Sequence, residues 1–227
     1  MKCLAPWHSI LVRFNGDIVP DGVYKARYGN VLKSSLNDVL NSYTATHTKD
    51  SLRMGQLPPE CEQCALKEGS VGHSRRLFFR DILNPMVENN GYDYSKNFTD
   101  ILFLEFNMSN ICNLKCRMCN GISSSAWVKE EKKLAEISAE YQRPVDHPEF
   151  GYTNKSEEII QRLFEDPTPF MNLRYLSIKG GEPYMEPANK KILQKFIDLG
   201  VAKNVTLDWT TNGTIAVSYT HLTLPTT

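Results

Sequence analysis

Ile101-Leu102-Phe103-Leu104-Glu105-Phe106, closely followed by Cys112-Asn113-Leu114-Lys115-Cys116-Arg117-Met118-Cys119, sets the architecture of this chain. The first run is almost wholly apolar, as a strand must be when a parallel sheet buries both its faces. The second supplies three thiols within eight residues, on the loop that leaves that strand. Beyond it the pattern alternates. A helical stretch runs from about Ser124 to Gln142, with Pro144 to end it, and another from Glu157 to Phe164. The strand Tyr175-Leu176-Ser177-Ile178 comes next, then Gly180-Gly181-Glu182-Pro183, a helix from Pro187 to Leu199 closed by Gly200, and the strand Val205 to Trp209. Strands alternating with helices predict an α/β fold with a parallel sheet, open or barrel-like. There is no internal repeat.

Upstream, Asn84-Pro85 and Glu88-Asn89-Asn90-Gly91 read as a polar connection. Before it, Ile10-Leu11-Val12-Arg13-Phe14 and Ile18-Val19 flank Asn15-Gly16-Asp17, a hairpin signal. Ser35 to Tyr43 has helical spacing, with Leu36, Val39 and Leu40 on one face. Arg53 to Cys64, with Pro58-Pro59, reads as a loop with turns. The expected organisation is a small α+β cysteine-rich unit over 1–84, a linker over 85–100 and an α/β core over 101–216. Residues 217–227 fit neither pattern. They resemble the translation of a transposase-based sequencing adapter, which predicts a non-native tail on a fragment whose natural chain continues past about Ala216.

The 26 basic and 26 acidic side chains cancel, which removes the whole-chain electrostatic argument for a nucleic-acid or membrane-surface partner. No apolar run approaches the roughly 20 residues of a membrane helix. The opening Met1-Lys2-Cys3-Leu4-Ala5-Pro6-Trp7-His8 lacks the apolar stretch of a secretion signal. The expectation is a cytoplasmic, reducing location, so the six cysteines read as metal or redox groups rather than structural disulfides.

Cys112, Cys116 and Cys119 have the spacing C-x3-C-x2-C. Three thiolates suit a [4Fe–4S] cluster that keeps one iron open, whereas structural zinc wants a fourth ligand and none lies nearby. Loops at the C-terminal ends of parallel strands are also where barrel active sites lie. After the next strand, Gly180 and Gly181 permit close backbone approach, and Glu182 can accept hydrogen bonds from an ammonium. Thr210-Thr211-Asn212-Gly213 follows the third strand.

With these three motifs in order, residues 100–216 resemble the radical S-adenosylmethionine (SAM) superfamily. The resemblance implies the N-terminal part of a partial (β/α)6 barrel, with about three of its strand–helix units present. It implies Cys112, Cys116 and Cys119 as ligands of a [4Fe–4S] cluster. Gly180, Gly181, Glu182 and Pro183 match the motif that meets the SAM amino group, and Thr211 and Asn212 stand where relatives contact SAM. The position before the last cysteine is commonly aromatic in relatives and holds the adenine; here it is Met118, whose thioether can also pack on a ring. The activity implied is an oxidoreductase-type one-electron cleavage of SAM to methionine and a 5′-deoxyadenosyl radical, which abstracts hydrogen from a substrate. The electron comes from a donor such as flavodoxin or ferredoxin. An incomplete core is expected to bind a cluster and turn over poorly.

Cys3, Gly16 and Asp21 match the C-x(9–15)-G-x4-C pattern of SPASM/twitch auxiliary-cluster domains, with Asp21 where the second cysteine belongs. Tyr28-Gly29-Asn30-Val31, Ser35 to Asn41, Leu52-Arg53-Met54-Gly55 and Pro58-Pro59-Glu60-Cys61-Glu62-Gln63-Cys64 extend that resemblance over residues 1–80. It implies that Cys3, Cys61 and Cys64 hold a second iron–sulfur cluster, with Asp21 either a fourth, oxygen ligand or no ligand. Zinc or inert thiols are the alternatives. His8 and His73 are candidate substitutes or else ordinary packed or surface histidines. Arg75 and Arg76 read as a solvated basic pair, with an anionic substrate as the other reading. Many relatives with auxiliary clusters modify peptides or proteins, which implies that substrate class by analogy; the alternatives are a small-molecule radical reaction and a zinc-binding interaction module.

Overall fold

A computed structural model describes residues 3–88, 91–95, 100–139, 145, 147, 150–151 and 155–215. Pro6 opens the one-turn helix α1 (Ala5–His8), and the chain then extends into β1 (Ser9–Arg13). Gly16, at φ 85°, makes the tight turn into β2 (Asp17–Val19), where Asn15 Oδ1 accepts from the Asp17 N–H at 3.0 Å. The hairpin pairs Leu11 with Val19, and β3 (Gly29–Asn30) adds to its far side.

Serine caps start the next helices. Ser35 accepts from the Asp38 N–H at the head of α2 (Leu36–Leu40), and Ser42 from the Ala45 N–H at the head of α3 (Tyr43–Arg53). After a 3-10 turn at Pro59–Cys61, α4 (Glu62–Val71) runs to Gly72, whose φ of 68° ends it in the left-handed region. Ser74 caps α5 (Arg75–Val87). The remaining elements are β4 (Phe103–Asn107), α6 (Val128–Ile137), α7 (Ser156–Leu163), β5 (Tyr175–Lys179), α8 (Ala188–Asp198) and β6 (Thr206–Trp209).

The fold is mixed α/β, with one six-stranded sheet in the order β3-β2-β1-β4-β5-β6. Strands β1, β4, β5 and β6 run parallel, in register from Ser9↔Phe103 and Phe103↔Tyr175 to Tyr175↔Thr206. One face carries the main core: Ile10 and Val12, Leu104 and Phe106, and Leu176 and Ile178 meet α2, α7 and α8 through Val39, Ile159 and Phe196. Burying each of these side chains contributes about 1.5–3 kcal/mol. On the other face, Phe103 packs on Phe79 and Leu83 of α5.

The small cysteine-rich unit expected ahead of the core does not stand on a sheet of its own. β1 lies beside β4, so the sheet runs on without a break across the expected linker. In this position Ile10, Leu11 and Val12 of β1 are all buried, so both faces of the strand are covered. The structure also places helix where a loop or a linker was expected. α4 occupies the far side of the cysteine pair, and α5 continues through Pro85 to Val87. The expected helix from Ser124 is a 3-10 turn at Ser125–Trp127 followed by α6, which ends at Ile137. The tail over 217–227 lies outside the described residues.

Candidate functional site

The loops leaving β4, β5 and β6 emerge at one end of the parallel sheet, and they carry the three motifs. The cysteine loop is pinned from several sides. The Cys112 N–H donates to Ser125 Oγ at 3.1 Å, and the Ser125 N–H to the Asn110 carbonyl at 2.7 Å. Trp127 Nε1 donates to the Cys116 carbonyl at 3.1 Å, and the Cys119 N–H closes a turn on that same carbonyl at 2.9 Å. Asn110 Nδ2 reaches the Gly121 carbonyl, while the Gly121 N–H is received by the buried carboxylate of Glu131. Cys116 is exposed, and Cys112 and Cys119 are half-buried. The Cys119 thiol is pushed up by burial first, then by its neighbours Cys116 and Cys112.

The β5 loop presses against this loop. The Glu182 N–H donates to the Ile111 carbonyl at 2.7 Å. Gly181 lies so close that an added Cβ would stand inside the Ile111 carbonyl, and one at Gly180 would strike Asn107 Oδ1 and the Ser109 carbonyl. The two glycines are thus required by the chain itself, to let one loop cross the other. Glu182 is wholly buried. Its carboxylate accepts from the Tyr184 N–H at 3.1 Å, the Thr211 hydroxyl at 2.9 and 3.0 Å, and the Asn212 N–H at 2.7 Å. The sequence reading gives this carboxylate to a ligand ammonium, whereas here three donors of the chain occupy it and it ties the β6 loop to the β5 loop.

Asn212 completes the junction. Its Nδ2 stands 3.0 Å from Asn113 Oδ1 and 3.8 Å from Cys112 Sγ, and its Oδ1 accepts from Thr214. The Leu114 N–H also points at Cys112 Sγ, at 3.5 Å. Hydrogen bonds to sulfur of this kind tune a metal-bound thiolate. Pro183 is buried under Asn189, whose Nδ2 donates to its carbonyl. Met118 stands at the rim, 93% exposed. Asn113, Thr214, Ser125 and Glu131 were not singled out by sequence. Nothing in the spacing marks them, because each acts through a partner on another element or loop.

Cys3, Asp21, Cys61 and Cys64 line a second cavity, of about 30 Å³, with Glu60, Tyr24 and Arg76. Burial pushes the Cys3 thiol up to about 12 and the Cys61 thiol up to about 11. Among the described residues, no three His, Cys, Asp or Glu side chains converge as a single-ion site. The donor chemistry fits an iron–sulfur cluster, while the space is that of one water.

The two histidines lie elsewhere. His8 is buried, with Nδ1 3.2 Å from the Asp100 carbonyl and Nε2 3.1 Å from the Tyr94 hydroxyl, and His73 is exposed. The basic pair is not solvated as expected. Arg75 donates to Asp21 Oδ1 at 2.8 Å, and Arg76 pairs with Glu68. The helix geometry explains this: Ser74 fixes the start of α5, which turns Arg75 toward the sheet and Arg76 toward α4.

Residues 3–65 match the family model described as the SPASM iron-sulfur cluster-binding domain. No curated protein and no solved structure matches the chain. No helix among the described residues is long and apolar enough to cross a membrane.

Proposed function

We propose that this chain is a radical SAM protein, with a [4Fe–4S] cluster on Cys112, Cys116 and Cys119 and an auxiliary iron–sulfur cluster on Cys3, Cys61 and Cys64. The observation that carries the reading is the convergence of three motifs at one end of a parallel sheet, with Glu182 bonded to both neighbouring loops and Asn212 beside Cys112. The four parallel strands are compatible with part of a (β/α)6 barrel, and the SPASM match is compatible with the auxiliary cluster. When bound, the cluster and SAM supply one-electron cleavage of the sulfonium and a 5′-deoxyadenosyl radical.

The chain's own part is positional. The pinned loop presents three thiols from part-buried to exposed, leaving the Cys116 side open for a ligand. Glu182 fixes Thr211 and Asn212 against that loop, which holds the β6 loop in one arrangement beside Cys112. Lys179, at the end of β5, pairs with Glu105 at 3.0 Å, which places a charged floor below the loops. The electron donor is an external protein of the flavodoxin or ferredoxin kind, and the substrate class, from the resemblance, is a peptide or protein.

Anaerobic quantification of iron, sulfide and zinc tests this, on the chain and on a variant with Cys112, Cys116 and Cys119 changed to Ala. The expected result is about eight irons falling to about four in the variant. Stoichiometric zinc without iron after reconstitution overturns the reading and leaves a structural zinc module.

A further inference from the structure

The carboxylate of Asp21 is held through one oxygen. Oδ1 accepts from the Gly22 N–H at 2.7 Å and from Arg75 Nε at 2.8 Å. Oδ2 has no hydrogen-bond partner among the described residues, although the side chain is only 8% exposed. Arg75 is itself fixed. Its guanidinium lies over Phe78 and Phe79, 4.4 and 4.9 Å from their centroids, and its second nitrogen stands 3.7 Å from Glu105 Oε2. Aromatic rings of α5 and a carboxylate of β4 therefore set where Arg75 stands, and Arg75 sets how Asp21 is turned.

Asp21 lines the same cavity as Cys3, Cys61 and Cys64. A carboxylate with one oxygen saturated by an arginine and a backbone N–H, and the other oxygen free, is prepared to bind a metal through a single oxygen. Outer hydrogen bonds of this kind orient ligating carboxylates. Three thiolates and a carboxylate would leave a cluster net negative in a buried place, which needs nearby positive charge. Arg75 on Asp21 and Arg76 on the cavity wall are placed to supply it.

We propose that Asp21, through Oδ2, is the fourth ligand of the auxiliary cluster, which makes it a closed site of three thiolates and one carboxylate. The proposal rests on the iron–sulfur reading of this cavity. Its consequence is functional: with no iron open to an outside ligand, the cluster passes electrons and does not hold substrate. Arg75 is the positioning residue of that ligand.

The test uses the full chain, reconstituted anaerobically, with Cys112, Cys116 and Cys119 changed to Ala so that only this cavity takes iron. Cyanide is the probe for an open iron, read by the EPR signal of the reduced cluster. With Asp21 present, the expected result is about four irons and a signal unmoved by cyanide. Asp21→Asn keeps the two donors to Oδ1 and removes the anionic ligand; its signal should shift with cyanide, or one iron should be lost on oxidation. Asp21→Cys should restore four irons and indifference to cyanide, with a changed midpoint potential. That second variant decides the matter even where Asp21→Asn unfolds. A parent chain that responds to cyanide, or an Asp21→Cys chain with an unchanged potential, overturns the proposal and leaves the cluster reading standing. No iron uptake with Cys3, Cys61 and Cys64 intact overturns both.

Discussion

Glu182 carries three hydrogen bonds in a wholly buried position, so the site depends on it without any ligand being present. Replacing it with Gln turns one acceptor into a donor facing the Asn212 or Tyr184 N–H. Leaving such a group buried and unmatched costs about 1–3 kcal/mol. Glu182→Gln should therefore lower the unfolding free energy by that amount and reduce iron uptake at Cys112, Cys116 and Cys119, as read by denaturant titration and iron assay. Gly181→Ala should cost more, about 2–4 kcal/mol, since its Cβ has no place beside the Ile111 carbonyl. His8 gives a pH signature. Burial lowers its pKa from 6.5 to about 4, so below pH 6.5 the unfolded chain takes a proton that the folded chain refuses. Stability is intact above that window and falls across it by up to about 3 kcal/mol as pH drops toward 4. Urea unfolding at several pH values should show a flatter acid limb for His8→Asn than for the parent. At this scale the sequence is informative only where spacing is local. The cysteine triplet is visible within eight residues, whereas Thr211 and Asn212 reach Glu182 across 29 and 30 residues.

Among the elements, α4 is the one held least by packing. None of its residues is buried, and Leu66 and Val71 are 65% and 71% exposed. Its ties to the rest include Cys61 and Cys64 at the cavity, the Glu68–Arg76 pair and the Ser74 hydroxyl that donates to Glu68. We expect its amides to exchange fastest among the helices of the metal-free chain and to gain at least tenfold protection on iron reconstitution. Hydrogen exchange by mass spectrometry checks this; equal protection in both states would show that α4 is held without metal. The same feature explains why the sequence reads as loop up to Cys64 and gives no sign of the helix that continues past it. An exposed helix with Gly69 inside it has no apolar stripe to announce itself, and the pairing of Glu68 with Arg76 and Ser74, together with the anchoring cysteines, fixes it. β4, β5 and β6 were legible because each strand's apolar run sits beside a glycine, cysteine or threonine-asparagine loop. The place of β1 in the sheet was not legible, since a hairpin strand and a parallel strand share the same apolar letters and differ only in their neighbour.

For the whole molecule, the pairing of β1 with β4 sets cooperativity. A chain ending at residue 100 keeps the hairpin and α1 to α5 but loses Leu104 and Phe106 from the core and Phe103 from beneath α5. We expect such a fragment to melt without a cooperative transition, whereas residues 1–215 unfold in one step. A sharp calorimetric transition in the fragment would show instead that the first 100 residues fold by themselves. The register Ser9↔Phe103 also has a temporal side. During synthesis at roughly 5–20 residues per second, β1 leaves the ribosome about 5–20 s before the strand that will cover its edge. Throughout that interval an apolar strand waits with one side unmatched, open to the wrong neighbour. The nascent chain thus has a built-in period of vulnerability, and its yield should depend on translation speed between residues 13 and 103 and on chaperones that shield a strand until its partner arrives.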